Sequence, residues 1–276
     1  MSDATIDRPL FILGPHRSGT TLLYRTLAQH PDVGCLVRAD HRLPRHPRLA
    51  HLWKRLGSGD DPVEAQRFWD LRWRQPDDAM SAADARPEDV AFYRRRVAST
   101  MDLRGRSRFL AKYPRLSLRV DWLDAVFPGA RFLHMVRDWR AVLASTLVRK
   151  HKREARGGGW FGVRVPGWQA MRDLPHERAA ALQFRATTLA LEDAAAKRPD
   201  RMRRVSYADL CRDAEGTLKG LAGFCELRPD PAFDAAIPRD LRSADHKWKE
   251  QLDPALVESL RSEDPAFFGR YEEGAR

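Results

Sequence analysis

Residues Pro9, Leu10, Phe11, Ile12, Leu13 and Gly14 form a short, wholly apolar run closed by glycine, and no other feature constrains the fold more. A strand without a polar face fits only inside a sheet covered on both sides, which is the habit of parallel sheets. Residues 14–21 then form a glycine-framed loop, and residues 21–28 carry a helical pattern that His30 and Pro31 stop. A strand that runs through such a loop into a helix leaves backbone N–H groups unpaired at the positive end of the helix dipole. That end of the helix is suited to an anion.

The rest of the chain repeats the alternation. Strand-type runs stand at 33–37, 108–113, 131–136 and 202–206. Helical spacing occupies 62–73, 87–101, 116–127, 138–150 with Asp138 as N-cap, and 175–197. The expected architecture is α/β: a parallel sheet flanked by helices on both faces, with a mostly helical insertion over about 40–105. The whole chain, 1–276, reads as one domain. Residues 157–168 hold three successive glycines and two tryptophans and break all periodicity, so they are expected to be a mobile lid.

Composition narrows the function. Lys and Arg number 49 against 38 Asp and Glu, a net charge of +11, and 41 of the 49 cations are arginine, whose planar fork suits phosphate and sulfate oxygens. No nucleic-acid-binding motif accompanies the charge, so no nucleic-acid partner is expected. Three cysteines, Cys35, Cys211 and Cys225, form neither a disulfide framework nor a zinc site, which points to reduced thiols and the cytoplasm. No apolar run approaches the roughly 18 residues of a membrane span, and the polar first residues leave no room for a secretory signal.

The loop is similar to the P-loop pattern G-x-x-x-x-G-K-[ST], but Thr20 stands where the lysine belongs and the nearest cation is Arg17. ATP and GTP enzymes use that lysine on the β- and γ-phosphates, so its absence argues against them. Residues Arg17, Ser18, Gly19, Thr20, Thr21, Leu22 and Leu23 resemble instead the 5′-phosphosulfate loop of sulfotransferases that use 3′-phosphoadenosine 5′-phosphosulfate (PAPS). Arg137, at the end of a strand, and Ser145, eight residues on, resemble that family's 3′-phosphate motif. Arg149 matches a cofactor-binding arginine of the tyrosyl-protein sulfotransferase branch. The segments around Lys112 and Pro114, Phe127 to Phe132, Val205 to Leu210 with Tyr207, and Lys247-Trp248 extend the similarity over almost the whole chain.

The resemblance implies a P-loop-like fold and in-line transfer of a sulfuryl group from PAPS to a hydroxyl or amine acceptor, with release of adenosine 3′,5′-bisphosphate. The acceptor class stays open among small molecules, glycans and peptides. Arg17, with His16, Ser18, Gly19, Thr20 and Thr21 of the loop, is expected at the phosphosulfate. Arg137, Ser145, Arg149, Tyr207 and Lys247 are expected at the nucleotide, and Lys112 at the sulfuryl group. No metal is expected. The family's basic residue has no clear counterpart here, so Asp40 or His41 is the expected general base, with His16 a third option. Two alternatives remain: a kinase on the same scaffold, and a non-catalytic protein that binds nucleotides or glycans.

Overall fold

The computed structural model describes residues 6–58 and 61–272; the first five residues, part of the polar start that argued against a leader, lie outside them. Five strands form one sheet: β1 (Leu10–Leu13), β2 (Val33–Cys35), β3 (Arg108–Lys112), β4 (Arg131–Val136) and β5 (Met202–Ser206). Their order is β2-β3-β1-β4-β5, and every pairing is parallel.

β1 lies at the centre, and its side chains divide between two cores because successive residues of a strand face opposite ways. Phe11 and Leu13 pack with Phe109, Ala111 and Phe132 on one face, while Leu10 and Ile12 pack with Leu110, Leu133 and Met135 on the other. All four β1 side chains are fully buried. Truncating one such side chain, Phe11→Ala for example, removes about 3–5 kcal/mol of stability.

In chain order the first ten helices are α1 (Thr20–Leu27), α2 (Arg38–Arg42), α3 (Pro47–Trp53), α4 (Gln66–Trp69), α5 (Pro87–Arg104), α6 (Val120–Val126), α7 (Trp139–Glu154), α8 (His176–Ala196), α9 (Tyr207–Arg212) and α10 (Ala214–Phe224), with four short ones after them among the described residues. Helices α5, α6 and α8 cover the Phe11 face through Tyr93, Val97, Trp122, Leu123 and Leu191. Helices α1 and α10 cover the other through Leu23, Tyr24, Leu27, Leu218 and Leu221. The expected α/β architecture with helices on both faces is what the chain adopts. No helix among the described residues is long and apolar enough to cross a membrane.

Several boundaries differ from the sequence pattern. The run 33–37 ends as a strand at Cys35, and Val37 instead makes an isolated antiparallel bridge to Pro62. The chain thus leaves the sheet edge after Val37 and returns beside it at Pro62. The helical pattern over 62–73 yields only the single turn of α4, because Ala65 enters it in the left-handed region (φ 50°). The run 116–127 splits into a 3₁₀ turn, Pro114–Leu118, and α6. Helix α7 begins as expected, with the Asp138 carboxylate accepting the Arg140 N–H at 2.8 Å, and runs on to Glu154.

β3 and β4 flank β1 on opposite sides, and β1 connects through α1 to the β2 edge. That reversal opens a crevice at the carboxyl end of the strands, the usual ligand position of an open α/β sheet.

Candidate active site

A cavity of about 520 Å³ occupies that crevice, and most of its polar wall comes from residues next to strand ends. The β1–α1 loop contributes His16, Arg17, Gly19, Thr20 and Thr21; β3 contributes Lys112; β4 and α7 contribute Arg137 and Arg149; α9 begins with Tyr207. Residues as far apart in sequence as His16 and Tyr207 therefore meet around one space.

The loop is held in an unusual backbone conformation. Gly14 has φ 152°, Gly19 has φ 97°, and Arg17 itself sits in the left-handed region at φ 66°. Gly19 is the N-cap of α1 and offers no side-chain cap; its carbonyl accepts the Leu22 N–H at 3.0 Å, and the N–H groups of Thr20 and Thr21 ahead of it have no side-chain acceptor among the described residues. A side chain at Gly19 would also collide with the Tyr207 ring, 2.5 Å from where its Cβ would lie. The Ser18 side chain is fully buried, and its hydroxyl donates to the Pro15 carbonyl at 2.6 Å, so it braces the turn rather than facing the cavity.

Arg17 Nε donates to Ser145 Oγ at 2.8 Å, joining the loop to α7. Arg137 Nη1 donates to the Arg17 carbonyl at 2.8 Å, its Nε donates to Asp245 at 2.6 Å, and its guanidinium lies 4.2 Å over the Tyr207 ring. Partial desolvation, followed by repulsion from Arg149 and Arg137, lowers the proton affinity of Arg17. Positive charge is thus concentrated where an anion would relieve it. Burial pushes the Tyr207 phenol up to about 12, so it stays neutral and serves as a packing surface.

Lys112, at the tip of β3, is nearly buried and donates to Glu64 Oε1 at 2.5 Å. Glu64 was not read from the sequence as a site residue. It lies just past the Val37–Pro62 bridge and is the one carboxylate among the residues that line the cavity. Nothing in its flanking sequence marks it, because the bridge that places it pairs segments 25 residues apart.

The expected base at Asp40 is overturned. Asp40 is 1% exposed, accepts the Val37 N–H at 2.8 Å and is held by Arg96 at 2.9 Å and by Arg104. A carboxylate between two guanidiniums and a backbone donor is a structural anchor with no approach for a substrate. His41, one residue on, is part-exposed on α2 and does not line the cavity. His16 lines it, but its Nε2 accepts the Val163 N–H at 3.0 Å. Desolvation, with Lys112, Arg17 and Arg115 nearby, lowers its pKa to about 4, so it is a neutral support for the following wall. Lys247 is exposed and outside the cavity lining.

The expected lid is largely a fixed wall. Gln183 Nε2 donates to the carbonyls of Val163 and Phe161, the Asp78 carboxylate accepts the Arg164 N–H at 2.6 Å, and Trp168 Nε1 donates to the Pro76 carbonyl at 3.0 Å. Val163 and Val165 are fully buried. Trp160 and Trp168 pack at 5.4 Å, and Trp160, Phe161 and Gly162 line the cavity. Gly157 and Gly159, by contrast, face open space.

Comparison with known proteins agrees with this geometry. A model described as the sulfotransferase family matches residues 9–231. Among curated proteins, the omega-hydroxy-beta-dihydromenaquinone-9 sulfotransferase Stf3 of Mycobacterium bovis is 26% identical over 87% of this chain and 68% of its own. Human protein-tyrosine sulfotransferase 1 is 31% identical over 52% of this chain and 35% of its own. Among solved structures, sulfotransferase STF9 from Mycobacterium avium superposes with a TM-score of 0.64 at 17% identity, covering 95% of this chain and 76% of that one. Neither the kinase nor the non-catalytic alternative is favoured by these matches. With its family model spanning the whole sheet and the β1–α1 loop, the chain belongs to the sulfotransferase family and is an enzyme of sulfuryl transfer.

Proposed function

We propose that the enzyme takes its sulfuryl group from PAPS and passes it to a hydroxyl acceptor, releasing adenosine 3′,5′-bisphosphate. The observation that carries this is the convergence of Arg17, Arg137 and Arg149 with the uncapped first turn of α1 on one cavity. Three guanidiniums and a helix N-terminus suit a ligand with two separate anionic groups. PAPS, when bound, supplies an activated sulfuryl group whose departure leaves negative charge on a phosphate oxygen.

Arg17, Thr20 and Thr21 hold the phosphosulfate end, and Arg17 stabilises the charge that develops there. Arg137, Ser145 and Arg149 hold the 3′-phosphate, and Tyr207 packs beneath Arg137. Lys112 orients Glu64 through Oε1, which leaves Oε2 to take the proton of the acceptor hydroxyl. Trp160 and Phe161 exclude water from the acceptor side.

The curated relatives are named for a hydroxylated quinone and for protein tyrosine, both hydroxyl acceptors, which supports an alcohol or phenol here. The same reading treats the chain as one transferase domain, because the insertion residues Phe68, Trp69, Tyr93 and Val97 share a core with the sheet. It also places the enzyme in the cytoplasm, in keeping with three cysteines that form no disulfide. Calorimetry with adenosine 3′,5′-bisphosphate, followed by transfer from labelled PAPS to an alcohol and phenol panel, tests it. Binding of magnesium-ATP without binding of the bisphosphate would overturn the donor assignment.

A further inference from the structure

Five large apolar side chains are exposed among the described residues, and four of them fall in one short stretch: Leu49 (54% exposed), Leu52 (55%), Trp53 (39%) and Leu56 (77%). Their spacing is i, i+3, i+4, i+7, that of the apolar stripe of an amphipathic helix. Helix α3 carries Leu49, Leu52 and Trp53, and the wider turn that follows it carries Leu56 before the chain kinks at Gly57 (φ 99°). The inward side of the helix is formed by Ala50, which is fully buried against Val37 and Ala39. The stripe therefore points away from the protein, the reverse of a normal surface helix.

Charge gives the stripe its partner. From residue 41 to residue 59 the sequence holds Arg42, Arg45, Arg48, Lys54 and Arg55 together with three histidines, and no Asp or Glu. Arg48 and Arg55 are exposed along one border of the apolar stripe. A convex apolar ridge with a tryptophan and a cationic border matches a helix that lies in the plane of an anionic lipid surface. A second copy of the chain fits poorly, because an isologous contact through this face would set each basic segment against its own duplicate.

We propose that residues 45–56 form an interfacial anchor that seats the enzyme on membranes rich in anionic lipid. Leu49, Leu52, Trp53 and Leu56 enter the boundary between headgroups and acyl chains, and Arg48 and Arg55 contact lipid phosphates. The excursion that carries the anchor closes at the Val37–Pro62 bridge, two residues before Glu64 in the cavity wall. Seating the anchor thus holds the acceptor side of the enzyme close to the lipid surface. The anchor stands on its own whatever the acceptor.

Co-sedimentation with vesicles of phosphatidylcholine, with and without phosphatidylglycerol, tests the proposal on the full chain. The wild type is expected to bind the anionic vesicles, less strongly at high salt, and to leave the neutral ones largely unbound. The double variant Leu52→Asp, Leu56→Asp is expected to lose at least about tenfold in partitioning, since it removes two buried leucines from the contact. These positions are exposed, so circular dichroism and affinity for adenosine 3′,5′-bisphosphate stay at wild-type values. A second variant, Arg48→Glu with Arg55→Glu, is expected to lose binding and its salt dependence together. Failure of the wild type to bind anionic vesicles, or equal binding by the Leu52, Leu56 variant, would overturn the anchor. A wild-type dimer in solution that becomes a monomer in that variant would also overturn it, by showing that protein covers the face. None of these outcomes depends on which donor the cavity holds.

Discussion

Arg17 and Ser145, 128 positions apart, are joined by a 2.8 Å hydrogen bond from the guanidinium Nε to the hydroxyl oxygen. One residue belongs to the loop after β1, the other to the second turn of α7, and the two are assigned to opposite ends of the same donor. The bond ties the loop to α7 before any ligand enters, which on the proposed reading fixes the separation of the two phosphate sites and lowers the ordering cost of binding.

Arg137→Ala is expected to weaken adenosine 3′,5′-bisphosphate by at least tenfold, since hydrogen bonds to a charged group are worth about 1.5–3 kcal/mol. The loss is expected to shrink for an analogue without the 3′-phosphate. Because Arg137 also pairs with the buried Asp245, the single variant leaves that carboxylate uncompensated and lowers Tm. Arg137→Ala combined with Asp245→Asn restores much of the Tm without restoring affinity. Calorimetry on both variants with both ligands reads the two effects apart, and equal losses for the two ligands would make Arg137 structural.

Glu64→Gln keeps the shape and the contact with Lys112 but removes the proton acceptor. The expected result is a fall in kcat of about 10²–10⁴ with bisphosphate affinity retained. Steady-state transfer to a hydroxyl acceptor, beside calorimetry, checks it. Undiminished kcat would move the base elsewhere.

At Gly19 two effects act together: a φ of 97° that L-residues rarely adopt, and a Cβ position 2.5 Å from the Tyr207 ring. Gly19→Ala is expected to cost about 1–3 kcal/mol of stability and to shift Tyr207 from under Arg137. Tyr207→Ala removes the collision, so the double variant is expected to regain part of the loss. A denaturant series on the three variants measures the coupling, and strict additivity would show that the ring is free to move aside.

The acid limb of stability follows from two histidines held neutral. His16 is lowered to about 4 and His134 to about 3, both mainly through burial. The unfolded chain takes up protons below the ordinary value of 6.5 while the folded chain does not, so stability is full above that pH and falls between 6.5 and about 4. Each histidine adds a slope of up to about 1.4 kcal/mol per pH unit within that window. His134 Nε2 is buried with no hydrogen-bond partner among the described residues, so His134→Leu is expected to flatten the slope. Urea unfolding at pH 7, 6 and 5 measures it.

The sheet was legible because its central strand is apolar on both faces and the others are short runs bounded by turn residues. The 202–206 run and the 131–136 run coincide with β5 and β4, and Asp138 caps α7 as its position implies. That Arg17, Thr20, Thr21, Arg137 and Arg149 meet around one cavity was legible too, since glycine spacing and an Arg at a strand tip are local signals. The acceptor side was not. Asp40 carries the residue type of a base, yet two arginines of α5 turn it into a brace, and nothing in residues 38–41 announces partners at 96 and 104. Glu64 reaches the cavity beside the Val37–Pro62 bridge, and Lys112 fixes its orientation from the tip of β3. The wall at 160–168 has loop composition, and its rigidity comes from His16, Asp78 and Gln183, all remote in sequence.

The Val37–Pro62 bridge has a consequence for how such a chain diversifies. A segment pinned at its own base returns to the sheet edge whatever lies between its ends, and the entropic cost of closing it grows only slowly with its length. The stretch that follows the Asp40 anchor, residues 45–58, can therefore be exchanged for a longer, shorter or more polar one while Asp40, Glu64, Lys112 and the donor loop stay in register. In a lineage of such enzymes, address and chemistry are then free to evolve at different rates.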